Sequence, residues 1–330
     1  MRVGWLLVGD DRIASARIQG MAIHRELVLR GIRSEILNNP RDFDTRLHWK
    51  VLRRWYEATL RKRDVLIFQK VESSRAARFA RLARRMGTRI VFLQADVRES
   101  RFYRIANCVV VSSAELARQV QPICPAPITV IEDAIDLPRN VMASPTRRTQ
   151  KLRVLWIGGR MNFPSLERIR PLFSLPDFAD FELVTVSDHP EAMVEWSAQT
   201  ASREILAADL AVIPCLDAPA SRAKSNNRLT LFMAAGLPVI ASPIPAYGAI
   251  VEPGENGFLA ETPEEWAAAL RALRDPVLRA SLGAAARRTA WERFAPEVIA
   301  GRWELLLEEL TSAGRVPVAE GQRGIVHQQR

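Results

Sequence analysis

The chain has 330 residues, 48% of them hydrophobic and 25% charged, with a formal net charge of +10. That composition excludes a disordered chain, and no apolar run reaches the roughly 20 residues that a membrane-spanning helix requires. Three scattered cysteines and four dispersed histidines offer neither a disulfide framework nor a zinc ligand spacing, and fit reduced thiols in the cytoplasm.

In chain order, RVGWLLVG (2–9) is predicted as a strand, 14–30 as a helix stopped by Gly31, and 33–37 as a short strand. DVLIFQK (64–70) is a further strand, followed by an arginine-rich helix over 73–86 that stops at Gly87. RIVFLQ (89–94), CVVVS (108–112) and PITVIE (127–132) are buried strands, with a helix over 113–121 between the last two. Apolar strand runs separated by helices argue for a parallel sheet covered on both faces. Residues 138–151, polar and with two prolines, read as a linker.

The pattern then restarts. Strands are predicted over 152–159, 181–187, 209–215, 237–242 and 257–260, with helices over 164–174, 201–207, 226–235 and from 263 onward. The organisation expected is therefore α/β: residues 1–142 and 151–295 as two Rossmann-like domains facing a cleft, and 312–330 as a loose tail. Charge divides unequally. Residues 1–150 hold 28 basic and 15 acidic side chains (+13), and 151–330 hold 19 and 22 (−3). Such asymmetry points to an anionic partner for the first half.

RAKSNNRLTLFMAAGLPVIAS (222–242) is the densest stretch. Lys224, Asn226, Asn227 and Arg228 crowd the start of a helix, where free N–H groups and the dipole attract anions. A phosphate or diphosphate site and an ordinary helix start both fit. Lys224 is one of five lysines against 42 arginines.

The second half resembles the nucleotide-sugar-binding half of GT-B glycosyltransferases of the group 1, family 4-like type. The resemblance rests on Gly-Gly-Arg (158–160), on Ala208–Pro214, on Met233-Ala234-Ala235-Gly236-Leu237-Pro238 and on Glu252–Leu259, in that order. SARIQG (15–20), VVVSS (109–113) and VIEDAID (130–136) extend it more weakly into the first half. It implies the GT-B fold, with helix 296–311 crossing back onto the first domain. It also implies transfer of a sugar from a nucleoside-diphosphate-sugar donor to a glycan or lipid-linked acceptor, with retention of configuration, as in polysaccharide biosynthesis. No bound metal and no cofactor beyond the donor substrate are implied.

By the same resemblance, Lys224 and Arg228 are candidate catalytic cations for the leaving diphosphate. Gly158, Gly159, Arg160, Ser225, Asn226, Asn227 and Gly236 are candidate donor contacts. Gly9, Ser15 and Arg17 are candidate acceptor or phosphate contacts; for Arg17 a plain surface arginine is equally open. Asp96 stands where relatives often carry a histidine, and would orient an acceptor hydroxyl or cap the next turn. Where many relatives carry two glutamates, this chain has Ala223 and Leu231. An inactive nucleotide-sugar-binding protein of the same fold is the alternative this suggests.

Gly9-Asp10-Asp11 lacks the dinucleotide spacing, and its aspartates read as capping rather than as a metal site. Residues 46–63 hold seven basic side chains, Trp49, Trp55 and Tyr56. They fit either a helix on an anionic membrane surface or a solvated helix packing its aromatics inward. Arg75, Arg78, Arg81, Arg84 and Arg85 read as a solvated helical stripe. The localisation expected is cytoplasmic, with peripheral attachment at the inner membrane face as the further option. No nucleic-acid motif accompanies the basic half, so a nucleic-acid partner is not expected.

Overall fold

The computed structural model describes residues 1–47, 64–143 and 151–312. Two six-stranded sheets, each wholly parallel, follow one another along the chain. The first uses β1 (Arg2–Leu6), β2 (Arg33–Asn38), β3 (Val65–Gln69), β4 (Arg89–Gln94), β5 (Cys108–Val111) and β6 (Ile128–Val130), in the order β2-β1-β3-β4-β5-β6. The second uses β7 (Leu152–Ile157), β8 (Phe181–Ser187), β9 (Val194–Glu195), β10 (Leu210–Ile213), β11 (Val239–Ala241) and β12 (Phe258–Leu259), in the order β12-β11-β10-β7-β8-β9. The central strands are mostly apolar because helices cover both of their faces; β3, β5 and β10 have no exposed residue.

Strand order reverses between β1 and β3 in the first sheet and between β7 and β10 in the second. At such switch points the loops leaving the carboxyl ends diverge and open a crevice. The strand order thus singles out residues 7–11 and 70–72 in the first domain, and 158–160 and 214–216 in the second.

Helix limits follow local chemistry. Ser73 and Ser113 cap their helices by accepting the N–H of Ala76 (3.3 Å) and Leu116 (3.1 Å). Gly31 and Gly87 end theirs at φ +80° and +90°. Two expectations need correction. The region 164–174 is not an α-helix but two 3₁₀ segments, Arg160–Arg168 and Arg170–Ser174, because Pro164 and Pro171 remove the N–H groups an α-helix would use. The helix expected over 14–30 carries a wider π turn at Arg17–Met21 before its last stretch, Ala22–Leu29.

The last helix, Pro296–Ser312, returns to the first domain. The Trp303 ring lies 5.4 Å from that of Trp5, Glu304 pairs with Arg30 at 2.9 Å, and Leu310 C=O accepts from Arg89 at 3.0 Å. The segment joining the domains is fastened to the second one. Arg287 donates to the carbonyls of Arg139, Val141 and Ala234, and the Trp291 indole also donates to Ala234.

Candidate donor and acceptor site

The second-domain wall starts at the end of β7. A side chain at Gly158 would meet the buried Trp156 ring at 2.6 Å, so glycine is needed for packing. Gly159 is exposed, and its nearest neighbour would be Asp188. Arg160 is exposed as well. Its N–H donates to Asp188 Oδ1 at 2.6 Å and its guanidinium to Asp188 C=O at 3.3 Å.

Lys224 and Arg228 line the wall at the start of helix Asn227–Ala234. The Lys224 ammonium donates to Asn162 Oδ1, which ties it to the loop after β7. Burial, and secondarily the Arg228 guanidinium, lower the Lys224 pKa from the ordinary lysine value. Arg228 reaches Cys215 Sγ at 3.7 Å, a weak acceptor, while its Nη1 is buried with no hydrogen-bond partner. Burial pushes the neighbouring Tyr247 phenol up to about 12, so it stays protonated and brings no counter-charge. Among the described residues neither cation has a carboxylate partner. Two like charges held together in a partly buried site repel one another, and a bound anion would relieve both.

Asn226 does something else. Its Oδ1 accepts the Asp133 N–H at 3.1 Å and its Nδ2 donates to the Asp133 C=O at 3.0 Å. Both ends of the amide are thereby spent on the first domain, and the residue is 1% exposed. The expected donor contact from Asn226 is corrected to an interdomain clamp. Ser225 reaches the Asp133 carboxylate, and Ser113 donates to Ala223 C=O at 3.1 Å across the same junction. Asn227 is partly buried beside them.

Gly236 also needs correction. It follows the far end of helix Asn227–Ala234, about 12 Å from its start by helical rise. It takes φ +80° and packs near Gly283 and Arg287, away from the cleft. It terminates the helix and touches no donor.

On the first-domain wall the charges are paired. Arg17 grips Asp136 with Nε and Nη2 at 2.6–3.0 Å, so the expectation of a free phosphate ligand is corrected to a structural ion pair. Gly9 is buried, since a side chain there would strike Ile13 at 2.3 Å. Ser15 is partly buried on the adjoining helix. Asp10 caps its turn, accepting Arg12 N–H at 3.1 Å. Asp96 is exposed and meets the Lys70 ammonium at 3.0 Å.

Sequence reasoning missed Lys70, Asp133, Gln19 and Asn162. Lys70 is the one non-glycine residue at positive φ (57°) among the described residues, a conformation that costs about 1–2 kcal/mol. It sits at the β3 end of the switch point. Asp133 is buried, with Gln19 Nε2 donating to it at 2.8 Å. Burial raises its pKa. A lysine in so lysine-poor a chain was a usable signal for Lys70. Nothing local marks Asp133. Residues 48–63, most of the expected membrane segment, lie outside the described residues. Among the described residues, no helix is long and apolar enough to cross a membrane, and no three metal-ligating side chains gather.

Residues 141–275 match the family model of the group 1 glycosyl transferases. That match lies in the second sheet's domain and the segment leading into it. Among curated proteins no sequence match is found. Solved structures of glycosyltransferases share the fold of this chain, two parallel-sheet domains in the GT-B arrangement. A glycosyltransferase from Rickettsia africae superposes with TM-score 0.71 at 14% identity, over 94% of this chain and 98% of that one. Sucrose-phosphate synthase from Thermosynechococcus elongatus gives 0.66 at 15%, over 95% and 100%. Alr3699/HepE of Anabaena in complex with UDP-glucose gives 0.67 at 13%, over 94% and 100%. The matched family region contains Arg160, Lys224 and Arg228, the cationic wall described above.

Proposed function

We propose that this protein is a glycosyltransferase that moves a sugar from a nucleoside-diphosphate-sugar to a hydroxyl of a glycan or lipid-linked acceptor in polysaccharide biosynthesis, with retention and without a bound metal or cofactor. The carrying observation is the pair Lys224 and Arg228, held together with no carboxylate partner among the described residues. As the glycosidic bond breaks, negative charge grows on the leaving diphosphate. Preorganised cations at that position stabilise the transition state more than the ground state. The start of helix Asn227–Ala234 adds its N–H groups. Arg160 and Gly159, exposed on the facing loop, border the donor. Asp96, oriented by Lys70, receives the acceptor hydroxyl. A UDP-sugar is the first donor to try, because Alr3699/HepE, of the same fold, is a complex with UDP-glucose. The reading places the chain in the cytoplasm, with 46–63 as a contact to anionic membrane.

The test is thermal shift against UDP, GDP, ADP and CDP, followed by donor turnover. One diphosphate is expected to raise Tm in the parent and to lose most of that effect in Lys224→Ala. An equal shift in both proteins would place the diphosphate elsewhere. The anomeric form of the product, read by NMR, decides retention.

A further inference from the structure

The flank of the first domain carries an array of arginines that the cleft does not use. Helix Ser74–Arg85 contains Arg75, Arg78, Arg81, Arg84 and Arg85 and no acidic residue. The fold brings a second basic turn alongside it, Arg101–Arg104. Two contacts fix that turn against the helix at both ends: Arg101 Nη1 donates to Ser74 Oγ at 2.7 Å, and Arg84 Nη1 to Ile105 C=O at 2.6 Å. All seven arginines are exposed, and none makes an ion pair with another described residue. The adjoining groove also holds Glu72, already paired with Arg98 and Ser100, and the exposed Glu99.

A solvated stripe would need nothing more, but two features point to an occupant. Leu82 and Met86, each 52% exposed, fall on the same helical face as Arg75, Arg78 and Arg85. Apolar side chains among arginines suit the boundary between headgroups and acyl chains. The groove beside the array, about 1390 Å³ and lined by Arg81, Arg101 and Arg104, is far too wide to grip a single phosphate. The arginines therefore match an extended negative surface. Among the described residues no exposed aromatic ring lies with them for base stacking, which disfavours a single-stranded nucleic acid.

We propose that the flank formed by helix Ser74–Arg85 and the turn Arg101–Arg104 docks the protein on anionic lipid bilayers. This surface is formed by residues other than 46–63 and stands independently of the transferase reading; only its use in presenting a lipid-borne acceptor rests on that reading. The array begins at the cleft rim, because the helix follows the carboxyl end of β3 and the turn follows that of β4.

The test is flotation of the full chain with vesicles of phosphatidylcholine alone and of phosphatidylcholine with phosphatidylglycerol. Binding is expected only with the anionic lipid, and it should fall steeply between about 0.1 M and 0.5 M salt. The combined variant Arg75→Glu, Arg78→Glu, Arg85→Glu should bind at least roughly a hundredfold more weakly, about fivefold per arginine removed. Leu82→Ser with Met86→Ser should weaken binding by a smaller factor. Should the reversed variant fold poorly, the same three positions changed to Gln give the same direction. Undiminished flotation of either arginine variant overturns the proposal, and so does equal binding to neutral vesicles. Binding to a mixed-sequence oligonucleotide with none to vesicles overturns it in favour of nucleic acid. The nucleoside-diphosphate thermal shift should be unchanged in these variants; its absence from the parent damages the transferase reading alone.

Discussion

The two walls of the cleft treat charge in opposite ways. In the first domain four ion pairs stand at the strand ends: Arg17 with Asp136, Lys70 with Asp96, Arg98 with Glu72, Arg12 with Asp10. In the second domain Lys224 and Arg228 meet an amide oxygen, a sulfur and the neutral Tyr247 phenol, and no carboxylate among the described residues. A self-neutralised wall suits an uncharged hydroxyl nucleophile. A wall with two unsatisfied cations suits a ligand that arrives with negative charge and leaves with more.

The contrast can be broken most directly at Lys224. Lys224→Ala should lower donor turnover roughly 10²–10³-fold, the usual loss when one preorganised charge-stabilising group is removed. Arg17→Ala, on the opposite wall, should change donor affinity less than about threefold, since its charge is spent on Asp136. Similar losses in the two variants, measured by steady-state kinetics and titration, would erase the distinction.

The junction between the walls gives the next effect. Asn226→Ala leaves the Asp133 N–H and C=O buried without partners, at about 1–3 kcal/mol. Tm should fall by several degrees in calorimetry. No fall would mean that water replaces the amide.

Titration sharpens the comparison further. The Lys224 pKa is lowered in the free protein, so folding is penalised while the group is charged. That penalty is relieved as pH rises through the window between the lowered value and the unfolded one. A bound diphosphate reverses the preference. Nucleoside-diphosphate affinity should therefore drop on the alkaline side at a lower pH than an ordinary lysine would dictate, and Lys224→Arg should abolish that drop. Isothermal titration across pH reads this directly.

The smallest effect belongs to Asp133. Its pKa is raised by burial, so its contribution to stability is fullest at acid pH, below the unfolded value, and is lost as pH rises through the folded one. Asp133→Asn should raise Tm at neutral pH by roughly 2–4 °C for each ~1 kcal/mol recovered, and flatten the acid limb of the stability curve.

Much of this was legible along the chain. Apolar runs such as VLIFQ and LAVI marked central strands because both faces of a parallel sheet are covered. The Met-Ala-Ala-Gly-Leu-Pro segment and the loop before it fall inside the region that matches the family model, and Lys224 and Arg228 come together at the start of helix Asn227–Ala234. Gly236 misled because closeness in sequence is not closeness in space: an eight-residue helix carries it to the other end of the sheet. Asn226 misled because its partner, Asp133, lies 93 positions earlier, beyond the reach of any local pattern. The prolines at 164 and 171 were visible, but the apolar spacing around them suggested a helix that their missing N–H groups forbid.

The Arg287 guanidinium bears on how such a molecule could open. By gathering the carbonyls of Arg139, Val141 and Ala234 it ties the first residues of the connecting segment to the second domain. The returning helix Pro296–Ser312 is fastened to the first domain just as firmly. The two chain crossings between the lobes, at Leu137–Pro138 and Ala295–Pro296, each carry a proline whose ring fixes φ, so both crossings are stiffer than an ordinary connection.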